Sequence, residues 1–163
     1  MVEILPLRER PHAIATLAKW HFAQWGSMNP ANAIERRLAA FQEHLQPGRV
    51  PQTFIALEGD RLLGSASLVS TDLPQRLDLY PWLASVYVDP AERNRGIGSR
   101  LVNRVVEEAR SLGFPRLFLF TPDRAKFYAG LGWQKIEDSD WNGLPVTVME
   151  YVLRPEGNAP TTP

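Results

Sequence analysis

Apolar and polar positions recur along this chain with periods that change repeatedly, and each change marks an element. Val2 to Leu7 ("VEILPL") reads as a first strand. Pro11 then suits a helix N-terminus, and Ile14, Leu17, Ala18, Phe22 and Trp25 follow at helical spacing up to Gly26. Asn29 as N-cap and Pro30 in the first turn predict a second helix, with Ile34, Leu38, Phe41 and Leu45 as its apolar stripe. Thr53 to Glu58 and Arg61 to Val69 predict a hairpin around Gly59-Asp60, and the polar, proline-bearing stretch from Ser70 to Pro81 predicts a surface loop. The almost uninterrupted apolar run Trp82 to Val88 ("WLASVYV") predicts a central strand covered on both faces. From Gly98 onward, Leu101, Val102, Val105, Val106, Ala109 and Leu112 share one face of a helix closed by Gly113. Arg116 to Phe120 predicts another buried strand and Asp123 to Gly132 a short helix. Trp133 to Asp138 and Pro145 to Leu153 predict a last strand pair around Asn142-Gly143. The order is β-α-α-β-β-β-α-β-α-β-β, an α/β pattern without internal repeats. We expect one domain over residues 1–153 and an unstructured tail over 154–163.

The strongest amphipathic helix begins at a pair of glycines, Gly96 and Gly98, preceded by Arg93 and Arg95. A helix start leaves about four N–H groups without partners and carries partial positive charge, so it attracts anions wherever a ligand can reach the backbone. Glycines give that access. One charge–dipole contact is worth only ~0.3–1 kcal/mol on an exposed surface, so several amides and flanking guanidinium groups would be needed to hold a pyrophosphate. "GIGSRL" has Leu101 where a dinucleotide fingerprint needs a third small residue, and no Lys-Ser/Thr pair follows as in a P-loop.

Composition narrows the chemistry further. The 163 residues are 44% apolar and 22% charged with zero formal net charge, so no whole-molecule field favours nucleic acid or an anionic membrane. Arg36-Arg37 is too small a basic patch for nucleic acid. With no cysteine, disulfides, thiolate metal sites and a Cys nucleophile are excluded, and three scattered histidines form no metal-binding spacing. The first residues lack a signal-peptide pattern and no apolar run approaches membrane-spanning length, so the expected location is cytoplasmic.

Arg93-x-x-Gly96-x-Gly98, between a strand "SVYVDP" and an amphipathic helix, resembles the acyl-CoA motif of the GNAT superfamily of N-acetyltransferases. "FYAGLGW" (Phe127 to Trp133) is similar to the family's second signature, and the element order agrees from Val2 to about Leu153. The resemblance implies a central mixed, mostly antiparallel sheet of about seven strands with helices on both faces, the fourth and fifth strands parallel and splayed. It implies acetyl-CoA as co-substrate, no metal, and a pyrophosphate on the backbone of Arg93, Asn94, Arg95, Gly96, Ile97, Gly98 and Ser99. The pantetheine arm would pair with Val86, Tyr87 and Val88 as an added strand does. An amide near Val88 would polarise the thioester carbonyl, and Thr121 would touch the arm or the coenzyme. Tyr128 matches the position that faces the sulfur and supplies a proton or hydrogen bond to the departing thiolate.

Without cysteine or an evident activated serine, transfer would be direct, to a primary amine of a small molecule or peptide, in a monomer or homodimer. The strand before the glycine turn lacks the carboxylate many relatives use as a base. Asp78, Asp72 and a water relay are candidates, with Glu43, His21 and His44 behind them. Trp20, Phe22 and Trp25 either line an acceptor pocket or pack in the core. An acidic excess between Glu58 and Asp89 points to a cationic acceptor. An acyl-CoA sensor without turnover and a plain interaction domain are the alternatives.

Overall fold

The structure is a computed structural model describing residues 1–25 and 34–154. Asn29, Pro30 and the tail from residue 155 lie outside the described residues. The strands are β1 (Val2–Pro6), β2 (Gln52–Glu58), β3 (Arg61–Val69), β4 (Trp82–Val88), β5 (Arg116–Thr121), β6 (Gln134–Trp141) and β7 (Leu144–Val152). The helices are α1 (Ile14–Trp25), α2 (Ile34–Glu43), α3 (Ile97–Ser111) and α4 (Ala125–Gly130). All seven strands join one sheet in the order β1-β2-β3-β4-β5-β7-β6, antiparallel throughout except for the parallel pair β4/β5.

Alternation along β2 shows how two layers of helix are held. Phe54 and Ala56 point into a core with Leu101, Val102, Val105, Val106 and Ala109 of α3, whereas Ile55 and Leu57 point to the other face. There they meet Ile14, Leu17 and Ala18 of α1 and Phe41 of α2. The apolar stripe of α3 is therefore a true interior face, and Gly113, at φ +87, closes the helix with Phe114 N–H donating to the Ala109 carbonyl at 3.2 Å.

Several boundaries differ from the pattern-based expectation. Pro11 opens a 3-10 turn (Pro11–Ala13), and α1 proper starts at Ile14. The last hairpin is longer than predicted, because Asn142 and Gly143 both adopt positive φ (51° and 84°) and carry the ladder to within a two-residue turn.

The run Trp82 to Val88 is not covered on both faces along its length. Only its first three residues are buried, and Ser85 to Val88 are half-exposed. The cause lies beside it. β4 and β5 pair only at Trp82 and Phe118, after which the strands part.

Candidate active site

Where β4 and β5 separate, a cleft of about 650 Å³ opens, walled by Leu83 to Val88 on one side and Leu119 to Thr121 on the other. β4 faces it with backbone that β5 leaves unpaired, and on its other edge the β3/β4 ladder is irregular. Ser65 pairs with Tyr87 but Ser67 with Ala84, so β4 advances three residues while β3 advances two, and Ser85 at φ 55° absorbs the extra one. Gly64 lets the two strands approach at the start of this bulge: a Cβ there would overlap the Tyr87 carbonyl oxygen and lie 3.2 Å from the Val88 Cα.

α3 begins at the mouth of the cleft. Asn94 (φ 67°) and Gly96 (φ 75°) take left-handed conformations on either side of Arg95 and turn the chain sharply into the helix. No side chain caps it, and its first backbone bond runs from Arg100 N–H to the Gly96 carbonyl at 3.2 Å. The amides of Ile97, Gly98 and Ser99 thus have no intrahelical acceptor, and these residues line the cleft with Arg93, Asn94 and Gly96. The Cβ position of Gly98 points between Val88 Cγ2 (3.6 Å) and Phe127 Cζ (3.8 Å).

The two arginines diverge. Arg93 lines the cleft, its Nε donating to the Val88 carbonyl at 3.1 Å. The guanidinium of Arg95 turns instead to Glu58 at 2.8 Å and to Glu92, which is itself buried and also bound by Arg61. Glu58 ties Arg95 to β2 and Glu92 ties it to the preceding 3-10 turn (Pro90–Glu92), so only its main chain belongs to the glycine turn. Arg37 also lines the cleft, as does Arg124, which sits 5.1 Å over the Phe127 ring. Sequence reasoning missed Arg124, since it reads there as an ordinary solvated residue at a helix start.

Tyr128 is buried on α4, with edge contacts to Phe127 and Trp133 at centroid distances of 5.0 and 6.1 Å, and it also lines the cleft. Packing under Trp133 and facing the cleft are therefore both true of it. Burial pushes its phenol up to about 12, with Arg124 pulling the other way. Thr121 is buried at the cleft wall, and its hydroxyl accepts from the Arg124 N–H at 3.0 Å, which organises the start of α4.

Of the candidate bases, the structure brings only Asp72 into the cleft. Asp78 is exposed and paired with Arg76 at 2.9 Å, whose hydrogen bonds hold its carboxyl below the usual range. Glu43 is exposed on α2 and does not line the cleft. His21 is fully buried, 3.2 Å from the Ser65 hydroxyl and ringed by Trp25, Phe41 and Tyr87; burial lowers it to about 3. His44 is tied through Thr53 to Ser67 by two 2.7 Å contacts, and burial lowers it to about 4. Both rings are neutral at physiological pH. Asp72 is half-buried, and burial pushes it up to about 7 against the attraction of Arg37.

Among the early aromatics Trp25 lines the cleft, Trp20 packs on Tyr87 at 5.3 Å, and Phe22 is exposed. The acidic excess between Glu58 and Asp89 disperses likewise: Glu58 binds Arg95, Asp60 is exposed in the β2–β3 turn, Asp78 binds Arg76 and Asp89 accepts from the Ala91 N–H, leaving Asp72 at the cleft. Among the described residues no cluster of His, Asp or Glu has the arrangement of a metal site, and no helix is long and apolar enough to cross a membrane.

Comparison with known proteins matches this architecture. The chain is 29% identical to glucosamine 6-phosphate N-acetyltransferase 1 of Oryza sativa subsp. japonica over 132 residues, which is 77% of this chain and 80% of that protein. Its fold is shared with an aminoglycoside 6'-N-acetyltransferase complexed with coenzyme A (TM-score 0.73, 18% identity, 97% of this chain and 99% of that one). It is shared equally with a Salmonella typhimurium candidate acetyltransferase solved with acetyl-CoA (TM-score 0.74, 18% identity, 99% of both chains). The sequence model of the acetyltransferase (GNAT) family matches residues 14–133, a span that takes in both cleft strands, the glycine turn and Tyr128, and the chain belongs to that family.

Proposed function

We propose that this acetyltransferase moves an acetyl group from acetyl-CoA to a primary amine by direct transfer in a ternary complex, with residues 1–153 as the working unit. The observation that carries the reading is the uncapped start of α3 opening onto the cleft between β4 and β5. Bare amides of Ile97 to Ser99, with Arg93 and Arg124 nearby, suit a pyrophosphate. Val86, Tyr87 and Val88 offer strand backbone to the pantetheine arm. The glucosamine 6-phosphate and aminoglycoside enzymes named above act on amines, and the latter was solved with coenzyme A, which supports the choice of acceptor and donor.

The step itself balances simply. The amine nitrogen attacks the thioester carbonyl carbon, a C–N bond forms, the C–S bond breaks, and the nitrogen loses one proton while the sulfur leaves as thiolate. Asp72 takes the base role because it alone among the candidate carboxylates reaches the cleft, at a pKa suited to accepting a proton near neutrality. Tyr128 faces the leaving sulfur. With its phenol near 12 and a thiol near 8.5, complete proton transfer is uphill by about 5 kcal/mol, so its contribution is a hydrogen bond to the thiolate.

The test is release of free coenzyme A from acetyl-CoA across a panel of peptides, polyamines, amino acids and amino sugars, with coenzyme A affinity measured by calorimetry. Turnover with at least one amine is expected. Binding without turnover throughout would leave a sensor, and no binding at all would overturn the reading.

A further inference from the structure

Beside the main cleft lies a second cavity of about 130 Å³, between α2 and the sheet, and the two share Arg37, Asp72, Ala84 and Ser85. It is therefore a side pocket opening beside the bulge of β4. Its charged and polar lining is unusual for an interior gap: Arg37 and His44 from the helix side, hydroxyls of Ser67, Thr71 and Ser85, and the Asp72 carboxylate. Ala40, Phe41, Val69 and Ala84 supply the apolar remainder.

Arg37 is the outstanding member. It is half-buried, its Nε is shut away from solvent without a hydrogen-bond partner, and its guanidinium forms no ion pair with Asp72 although the two attract each other across the cavity. A buried guanidinium edge is costly to leave unpaired, and its fork of donors matches a carboxylate or phosphate. The surrounding hydroxyls can donate to the same oxyanion. His44 is neutral there and offers no competing charge.

We propose that this pocket receives an oxyanion carried by the acceptor, with Arg37 as its anchor, so that the amine substrate bears a carboxylate or phosphate a few bonds from its nitrogen. The inference rests on the acetyl-transfer reading above. An oxyanion on Arg37 leaves the amine at the shared mouth, beside Asp72, Ala84 and Ser85, from which the cleft runs along β4 toward Val88. The size is consistent, since an apolar cavity of roughly 150 Å³ accommodates a benzene ring, and 130 Å³ suits a group of about half a dozen heavy atoms. A purely cationic acceptor would instead set its charge against Arg37, with only Asp72, whose carboxyl burial raises to about 7, to offset it.

The experiment compares matched acceptors: α-amino acids against their carboxamides, and aminoalkyl phosphates against the corresponding amino alcohols. The expected result is at least a tenfold preference in kcat/KM for the anionic member of one pair, expressed in KM, and which pair shows it separates carboxylate from phosphate. Arg37→Gln should lower kcat/KM for the anionic member at least tenfold more than for its neutral partner, with Arg37→Lys in between. Equal turnover of paired members, or an equal loss on both in Arg37→Gln, overturns the proposal. If that variant fails to fold, the comparison on the unaltered protein decides. If no amine turns over, the same pairs are compared by thermal stabilisation of the coenzyme A complex, and equal stabilisation overturns it. Failure of coenzyme A itself to bind would instead remove the underlying acetyl-transfer reading.

Discussion

Asp72→Asn tests the electrostatics of the cleft without any knowledge of the acceptor. Burial raises the Asp72 carboxyl from its ordinary 3.8 to about 7 in the folded protein. Between those values the folded state holds a proton that the unfolded chain has lost, so stability falls as pH rises, by about 1.4 kcal/mol per pH unit, and levels off above the folded value. From pH 5 to 8 this amounts to roughly 2.7 kcal/mol at most. Asp72 keeps some contact with solvent, so we expect about 2 kcal/mol. Asn cannot titrate, and the difference in melting temperature between variant and parent should therefore grow by roughly 4–8 °C over that range in favour of Asp72→Asn, then stay constant. The other groups facing Asp72 bear little on this difference: burial lowers Arg37 from its ordinary 12.5 while the attraction of Asp72 opposes that, His44 is lowered to about 4, and Ser67, Thr71 and Ser85 do not titrate. Thermal melts at half-unit pH steps suffice. A difference independent of pH would refute the buried-carboxyl account. A difference shrinking toward high pH would mean that attraction to Arg37 outweighs burial. In the acetyl-transfer assay the same carboxyl predicts a rate that climbs through about pH 7 and is lost in the variant.

Gly98→Ala should fold normally, because its methyl would meet Val88 and Phe127 only at ordinary contact distance, yet weaken coenzyme A binding about tenfold or more by occupying the approach to the helix amides; unchanged affinity by calorimetry would contradict this. Gly64→Ala forces a methyl into the Tyr87 carbonyl, and urea unfolding should show a loss of roughly 2–4 kcal/mol together with loss of coenzyme A binding; a variant of parental stability would refute the close approach of β3 and β4. Tyr128→Phe should keep coenzyme A affinity and lower kcat by about 10- to 150-fold, the worth of a hydrogen bond to a charged atom. No change in kcat would reduce Tyr128 to packing.

Features set by local pattern were legible before the structure. The α3 face from Leu101 to Ala109 is fully buried as its spacing requires, Asn142-Gly143 makes the tight turn its composition suits, and the paired glycines stand at a bare helix start. The extent of β4 misled for a physical reason. A run of apolar side chains signals burial on two faces, and here the latter half of the strand is apolar because it lines an open gap. Its bulge is a matter of register between two strands, and nothing in "WLASVYV" beyond a lone serine marks the residue that carries it.

The site was less legible than the fold because charges choose partners across long stretches of chain. Arg93 and Arg95 look equivalent in sequence, yet Glu58, 37 residues before Arg95, takes that guanidinium away from the cleft while Arg93 remains. Asp72 and Asp78 likewise share one polar loop, and the difference between them is a neighbour: Arg76 satisfies Asp78 in solvent, whereas Asp72 faces Arg37 across a cavity with no ion pair between them. Arg37 reads in sequence as half of a small surface patch. On the helix it turns inward, and the cost of a guanidinium edge left bare makes that position informative. A charge that the fold buries without satisfying it points to a group supplied from outside, and here the opening leads into the cleft where the acetyl group would arrive.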